Sequence, residues 1–296
     1  VDVLKNTNSR TKSPVKIREM ELSDMDSLMK IKNAEGWNQT EKDWELLIQY
    51  PQSVSLVAVL GDRIIGTVTA INYAHTVAWI GMMLVDKEFR GRGISKLLLN
   101  ETIRKLEKCA SIKLDATPAG RPVYLKVDFK DEYKLYRMIH PSVSEISLSQ
   151  GSVEAVRVRP GDLSELAGFD KNVFGADRTS LISHLYENYP ELAWLIREKN
   201  KVVGFCLGRR GVNFTQVGPV YGSSELLAKS IIRSAVNSIS GKAVVVDILA
   251  AQTTTIEWLE GCGFTSQRSF DRMYLHKNPH PGIIESQYLI CGPELG

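Results

Sequence analysis

Along the first half of the chain, apolar and polar residues fall into blocks whose period changes from one block to the next. Val15 to Arg18 suits a short strand, while Asp24 to Asn33 places Leu28 and Ile31 three apart on one helical face. A second helix is predicted from Thr40, which opens a capping-box-like Thr-x-x-Asp ending at Asp43, followed by the apolar stripe Trp44, Leu47 and Ile48. Ser53 to Leu60, Ile64 to Asn72 and Val77 to Val85 then read as three strands. The turn pair Gly61-Asp62 joins the first two, so the pattern predicts an antiparallel meander. After Val85 a basic, glycine-containing loop leads into a helix from Ser95 to Lys108, with a further strand from Ile112 to Ala116.

The same order returns in the second half. Leu46 to Gly66 (LLIQYPQSVSLVAVLGDRIIG) and Leu185 to Gly204 (LYENYPELAWLIREKNKVVG) both carry Tyr-Pro, a strand, a turn, an aliphatic pair and a glycine. Pro51 and Pro190 are 139 residues apart and Gly66 and Gly204 138, so the register holds almost without a gap. Val15 to Leu28 resembles Glu154 to Leu166, and Asp115 to Phe129 parallels Asp247 to Phe264. Four segments in one order predict two homologous domains: a polar N-terminal arm at 1–13, a first domain at 14–141, a linker at 142–152 and a second domain at 153–296.

Composition narrows the class. With 43% apolar and 24% charged residues in 296, the chain is a packed globular protein and neither disordered nor fibrous. A net charge of +3 is too small to call for nucleic acid or a membrane surface as partner, and no apolar run reaches the roughly 18 residues of a membrane span. Val1 to Ser13 lacks the apolar core of a signal peptide, although the absence of an initiator Met leaves a removed targeting segment open. Cys109, Cys206, Cys262 and Cys291 have neither zinc-site spacing nor disulfide density, so a cytoplasmic location, structural thiols and no bound metal are expected.

The chemistry concentrates in Met82 to Leu98 (MMLVDKEFRGRGISKLL). A strand runs into Arg90-Gly91-Arg92-Gly93 and directly into a helix, whose first N–H groups are unpaired and carry partial positive charge. Glycines let an anion approach the backbone. The loop follows a meander, lacks the third glycine of a dinucleotide fingerprint and lacks the Gly-Lys-Ser/Thr of a P-loop, which sets aside hydride transfer and nucleotide hydrolysis.

Here the sequence resembles the GNAT (Gcn5-related) acyltransferases, whose motif is Arg/Gln-x-x-Gly-x-Gly/Ala. The chain reads Arg90-Gly91-Arg92-Gly93-Ile94-Ser95, with Ser95 the one departure. The resemblance implies an α/β architecture of two tandem GNAT folds, each a mixed, mostly antiparallel sheet flanked by helices. It implies acetyl-CoA as co-substrate, its pyrophosphate on the amides from Arg90 to Ser95 and its pantetheine arm edge-on to Leu84 and Val85. The family's second signature, Asn-x-x-Ala-x-x-Leu-Tyr-x-x-x-Gly-Phe, matches Thr117 to Phe129 (TPAGRPVYLKVDF) at Tyr124 and Phe129, with Thr117 in the Asn position. Tyr124 thereby becomes the expected acid that protonates the departing thiolate, and Thr117 a coenzyme contact.

Relatives often place an acidic base on the fourth strand, but Thr76 to Val85 contains none; at the strand ends His75 is either a surface histidine or the base, and Asp115 either a helix-capping or turn residue or the base. Trp37, between the first two helices, is either a core plug or part of the acceptor site. Asp247 matches Asp115 in the second copy, as either a turn residue or a reader of a cationic acceptor. That copy reads Val217-Gly218-Pro219-Val220-Tyr221-Gly222-Ser223-Ser224-Glu225, without the phosphate motif, and has Trp258 in place of the acid tyrosine. It is expected to be non-catalytic and to wall the acceptor pocket, and Gly282 to Leu289 to complete a sheet. The expected activity is acetyl transfer by direct attack of the amine of a small molecule or amino acid, in a monomer or homodimer. The alternatives are a CoA-binding regulator without turnover and an amino-acid N-acyltransferase using longer acyl-CoA, for which Met82 and Met83 supply an adaptable wall.

Overall fold

The computed structural model describes residues 14–147, 151 and 153–296. The expected arm at 1–13 and residues 148–150 and 152 of the expected linker lie outside the described residues. In chain order the first copy consists of β1 Lys16–Glu19, α1 Met25–Ala34, α2 Glu41–Gln49, β2 Val54–Leu60, β3 Arg63–Tyr73, β4 Val77–Val85, α3 Ile94–Lys105, β5 Ser111–Ala116, α4 Arg121–Leu125 and β6 Lys130–His140. The second consists of β7 Val156–Arg157, α5 Leu163–Phe174, α6 Thr179–Asn188, β8 Trp194–Glu198, β9 Lys201–Arg210, β10 Thr215–Gly222, α7 Glu225–Asn237, β11 Val244–Leu249, α8 Thr253–Gly261, β12 Thr265–His276 and β13 Gln287–Leu289. The capping box of α2 forms as its spacing predicts: Thr40 N donates to Asp43 Oδ2 at 2.6 Å, and Asp43 N donates back to Thr40 Oγ1 at 3.4 Å.

The repeated blocks make a repeated fold, but the two sheets do not close separately. Among the described residues, 13 strands form one sheet in the order β1-β2-β3-β4-β5-β12-β6-β11-β13-β10-β9-β8-β7. β12, from the second copy, lies between β5 and β6 of the first, with Arg272 opposite Asp115 and Thr265 opposite Ile139. β6 in turn pairs with β11, setting Arg137 opposite Asp247. Each copy thus lends a strand to the other, and backbone hydrogen bonds join them through the middle of a sheet.

Helices cover both faces. α1 and α2 of the first copy and α5 and α6 of the second share one core, in which Leu28, Trp44, Trp79, Phe174 and Leu181 are buried. On the opposite face, α3 packs Ile94 and Leu98 on the first copy's strands, and α7 packs Ile231 and Ile232 on the second's. Each such side chain contributes about 1.5–3 kcal/mol by leaving water. Among the described residues no helix is long and apolar enough to cross a membrane. The cysteines are unpaired, with Cys109, Cys206 and Cys291 buried.

Candidate active site

β4 and β5 run parallel and in register from Val77 opposite Ser111 to Ile80 opposite Leu114, and there the pairing stops. β4 bulges at this point. Met82 adopts a φ of 47°, and its carbonyl accepts a hydrogen bond from the Thr67 hydroxyl at 2.7 Å. Beyond the bulge β4 stays paired to β3, with Leu84 opposite Thr67, and among the described residues no strand pairs with its other edge along Leu84 and Val85. A cavity of about 710 Å³ opens in the gap. Leu84, Val85, Ser95, Thr117 and Tyr124 line it on the α3 side, and Trp37, Gln39, Arg137, Arg268, Phe270 and Glu294 line the rest.

The loop from β4 to α3 has the backbone an anion needs. Gly91 and Gly93 have φ of 75° and 79°, and a Cβ added at either would meet nothing within 4 Å, so the space in front of them is open. Among the described residues the amides of Gly91, Arg92, Gly93, Ile94, Ser95 and Lys96 donate no hydrogen bond; the next amide, Leu97, donates to Gly93 O at 3.1 Å. Arg90 fixes the loop from the surface: its Nε donates to Val85 O at 3.0 Å and its Nη2 to Glu35 Oε1 at 2.6 Å. Unpaired amides, open space and a helix N-terminus fit a pyrophosphate, as the motif implies.

Across the gap, Tyr124 sits on α4 edge-to-face with Phe129, ring centroids 5.9 Å apart. Gly120 makes room for it, since a Cβ there would lie 3.2 Å from Tyr124 Cε2. Burial pushes the Tyr124 phenol up to about 12, so it is a proton donor at neutral pH. Thr117 caps the turn before α4, its Oγ1 accepting from Gly120 N at 3.2 Å.

Three sequence-based candidates are placed differently from expectation. Asp115 reaches the cavity wall but is wholly buried and fully engaged, accepting from Arg272 Nε at 2.8 Å and Nη2 at 3.0 Å. Burial raises its carboxyl against the pull of Arg272, and with both oxygens on one guanidinium it is an ion-pair partner and not a free base. Asp247 does not read an acceptor: it is fully buried and takes Arg137 Nε and Nη2 at 2.8 Å each, with Gln216 Nε2 at 3.1 Å. His75 belongs to the β3–β4 turn, where it bonds Asn72 at 3.0 Å, outside the cavity wall. Trp37 does line the cavity, half-buried beside α1.

The carboxylate absent from β4 arrives from the other end of the chain. A Cβ on Gly81 would lie 2.7 Å from Glu294 Cα, so glycine on β4 is what lets the final segment pass. Trp79 Nε1 donates to Pro293 O at 3.0 Å and Tyr73 Oη to Leu295 O at 2.6 Å, holding that segment against β3 and β4. Glu294 is buried and paired with Arg209, which also pairs with Asp43. Burial alone would raise its carboxyl, but Arg209 and Gln39 hold it below the usual range, so it is ionised. The sequence signal for this contact is Gly81, a lone glycine inside an apolar strand.

In the second copy the corresponding gap is filled from within. β10 and β11 pair only at Thr215–Val244 and Gln216–Val245, and β13 occupies the space beyond, Leu289 pairing with both Val220 and Ile248. Gly218 admits it, because a Cβ there would run into the Ile290 carbonyl. The start of α7 is capped by Ser224, which accepts from Leu227 N at 3.5 Å. Of the expected strand Gly282 to Leu289, only Gln287–Leu289 completes the sheet, at the place where the first copy is open, while Ile284–Ser286 forms a 3-10 turn.

Comparison with known proteins finds the same architecture. A family model described as "Acetyltransferase (GNAT) family" matches residues 22–129, and one described as "Acetyltransferase (GNAT) domain" matches residues 166–289. A holothin acyltransferase of Pseudoalteromonas sp. is 23% identical over 264 residues, 89% of this chain and 88% of its own. An uncharacterized N-acetyltransferase of Bacillus subtilis, YitH, is 24% identical over 271 residues, 91% of this chain and 90% of its own. Among solved structures, a putative acetyltransferase from Pyrococcus horikoshii superposes with a TM-score of 0.80 at 22% identity, covering 99% of both chains.

Proposed function

The chain belongs to the GNAT acetyltransferases, in two tandem domains, and we propose that its first copy transfers the acetyl group of acetyl-CoA to the amine of a small molecule or amino acid by direct attack. The observation that carries this is the parting of β4 from β5 after Ile80 and Leu114, opposite a loop whose amides from Gly91 to Lys96 are unpaired. Acetyl-CoA supplies an activated acyl carbon and a thiolate leaving group. The loop amides hold its pyrophosphate, the edge of β4 along Leu84 and Val85 takes the pantetheine arm, and Thr117 orders the wall beside it.

Two side chains handle protons. Tyr124 stays protonated at neutral pH and gives its proton to the departing sulfur. Glu294, ionised beside Arg209 and Gln39, draws the neutral acceptor amine toward the bulge at Met82 and accepts a hydrogen bond from it, and the proton the nitrogen sheds as the C–N bond forms and the C–S bond breaks passes to solvent water, which reprotonates Tyr124. Trp37 and the strands lent by the second copy enclose the acceptor, which is the work left to that copy once β13 fills its own gap.

The test is thiol release from acetyl-CoA in the presence of a panel of amines and amino acids, with the acetylated product identified by mass. Acceptor-dependent release upholds the proposal; release that no acceptor stimulates opposes it. A second reading, transfer of a longer acyl group to an amino acid, is favoured by Met82 and Met83 in the cavity wall and by similarity to a protein named as an acyltransferase. Acyl-CoA thioesters of increasing length in the same assay separate the two.

A further inference from the structure

We propose that the acceptor carries a carboxylate beside its amine, and that Arg268 with the outer edge of Arg137 binds it; this rests on the cavity being the acceptor side of an acyl-transfer site. Arg268 on β12 stands directly opposite Arg137 on β6. Like charges facing each other across paired strands are destabilising. Asp247 neutralises one of the two, engaging Nε and Nη2 of Arg137 and having Gln216 as its further partner. Arg268 feels the charge of Asp247 but forms no ion pair among the described residues; its hydrogen-bond acceptor is the Gln267 side-chain oxygen, at 3.3 and 3.4 Å. Arg137 Nη1 likewise donates no hydrogen bond among the described residues.

Both guanidiniums line the cavity, flanking the Phe270 ring at 5.3 Å for Arg137 and 6.0 Å for Arg268. Arg268, Phe270 and Arg272 alternate along β12, and Arg272 stacks on Trp79 in the core beneath α1 and α2. That places the pair on the face opposite α3 and the phosphate loop, where an acceptor and not the coenzyme phosphates would meet them. Arg137 also feels the charge of Glu294, so the anion site and the amine-facing carboxylate share one cavity. An unpaired, half-buried guanidinium set against a second one is accounted for by a bound anion, and a planar fork suits a carboxylate. Free amino acids and carboxylate-ended peptides both present this chemistry beside an amine.

The experiment uses acetyl-CoA and the full chain with matched acceptors: free amino acids, their C-terminal amides, the corresponding decarboxylated amines and short peptides. A charge-assisted contact predicts that the acids exceed their amides in kcat/KM by about 10- to 100-fold. Arg268→Gln brings that ratio near one and Arg268→Lys keeps part of it, the lysine variant also guarding against misfolding. A ratio near one in the native chain, or one unchanged by Arg268→Gln, overturns the proposal; free amino acids outrunning peptides, or the reverse, identifies the source of the carboxylate. If no amine of any kind releases thiol, it is the acetyl-transfer reading that fails. Calorimetric titration with N-acetyl amino acids and their amides then still decides: tighter binding of the acids, lost in Arg268→Gln, upholds the carboxylate site, and equal binding overturns it.

Discussion

Gly81 and Glu294 meet backbone to backbone: a single Cβ on Gly81 would lie 2.7 Å from Glu294 Cα. The last turn of chain from the second copy thereby becomes part of the first copy's cavity. Gly81→Ala tests the fit. Overpacking a closed site costs about 1–3 kcal/mol, so the variant should melt lower and lose turnover by displacing Glu294, whereas unchanged melting would show that the segment yields freely.

Glu294→Gln should destabilise the chain by about 3 kcal/mol at pH 7, because it leaves Arg209 with Asp43 alone. The folded Glu294 carboxyl lies below its ordinary 4.5, so it contributes stability above that pH and loses it as pH falls through the lowered value. Urea unfolding of both chains at pH 7 and pH 4 is expected to show the gap narrowing on acidification; a gap that widens contradicts the ion pair.

Tyr124→Phe should lower kcat by about 100-fold while leaving the acetyl-CoA KM nearly unchanged. Since the phenol titrates near 12, the native pH profile should rise as the amine loses its proton and show no fall near 10. An alkaline limb centred near 10 that disappears in the Phe variant would place the phenol in solvent.

Asp115→Asn distinguishes an ion-pair partner from a catalytic base. With Arg272 left buried and unpaired, stability should fall by about 3–5 kcal/mol, and joint replacement by Asp115→Leu and Arg272→Met should recover much of it. A variant that folds with native stability but has lost turnover would return Asp115 to the role of base.

What the sequence disclosed and what it hid divide along a physical line. Local signals were legible: the meander, the Thr40–Asp43 capping box, the two copies, and the Arg90–Ser95 loop, whose glycines and position before α3 carry their own mechanism. The fold class followed from them. The insertion of β12 between β5 and β6 was hidden, because strand partners are chosen by tertiary packing and not by local pattern. Asp115 and Asp247 looked like candidate site residues for the same reason: their partners Arg272 and Arg137 come from strands of the opposite copy. Glu294 was concealed by distance along the chain, and Gly81 was its one local trace.

If the first copy is the acyl-transfer site while β13 closes the second, the chain binds a single acetyl-CoA. Calorimetric titration of the chain with acetyl-CoA measures this directly, in the native form and in Gly93→Glu, where a carboxylate enters the phosphate loop at a φ of 79°. One site per chain, lost in the variant, is the expected result. Two sites per chain, or native affinity in Gly93→Glu, would contradict it.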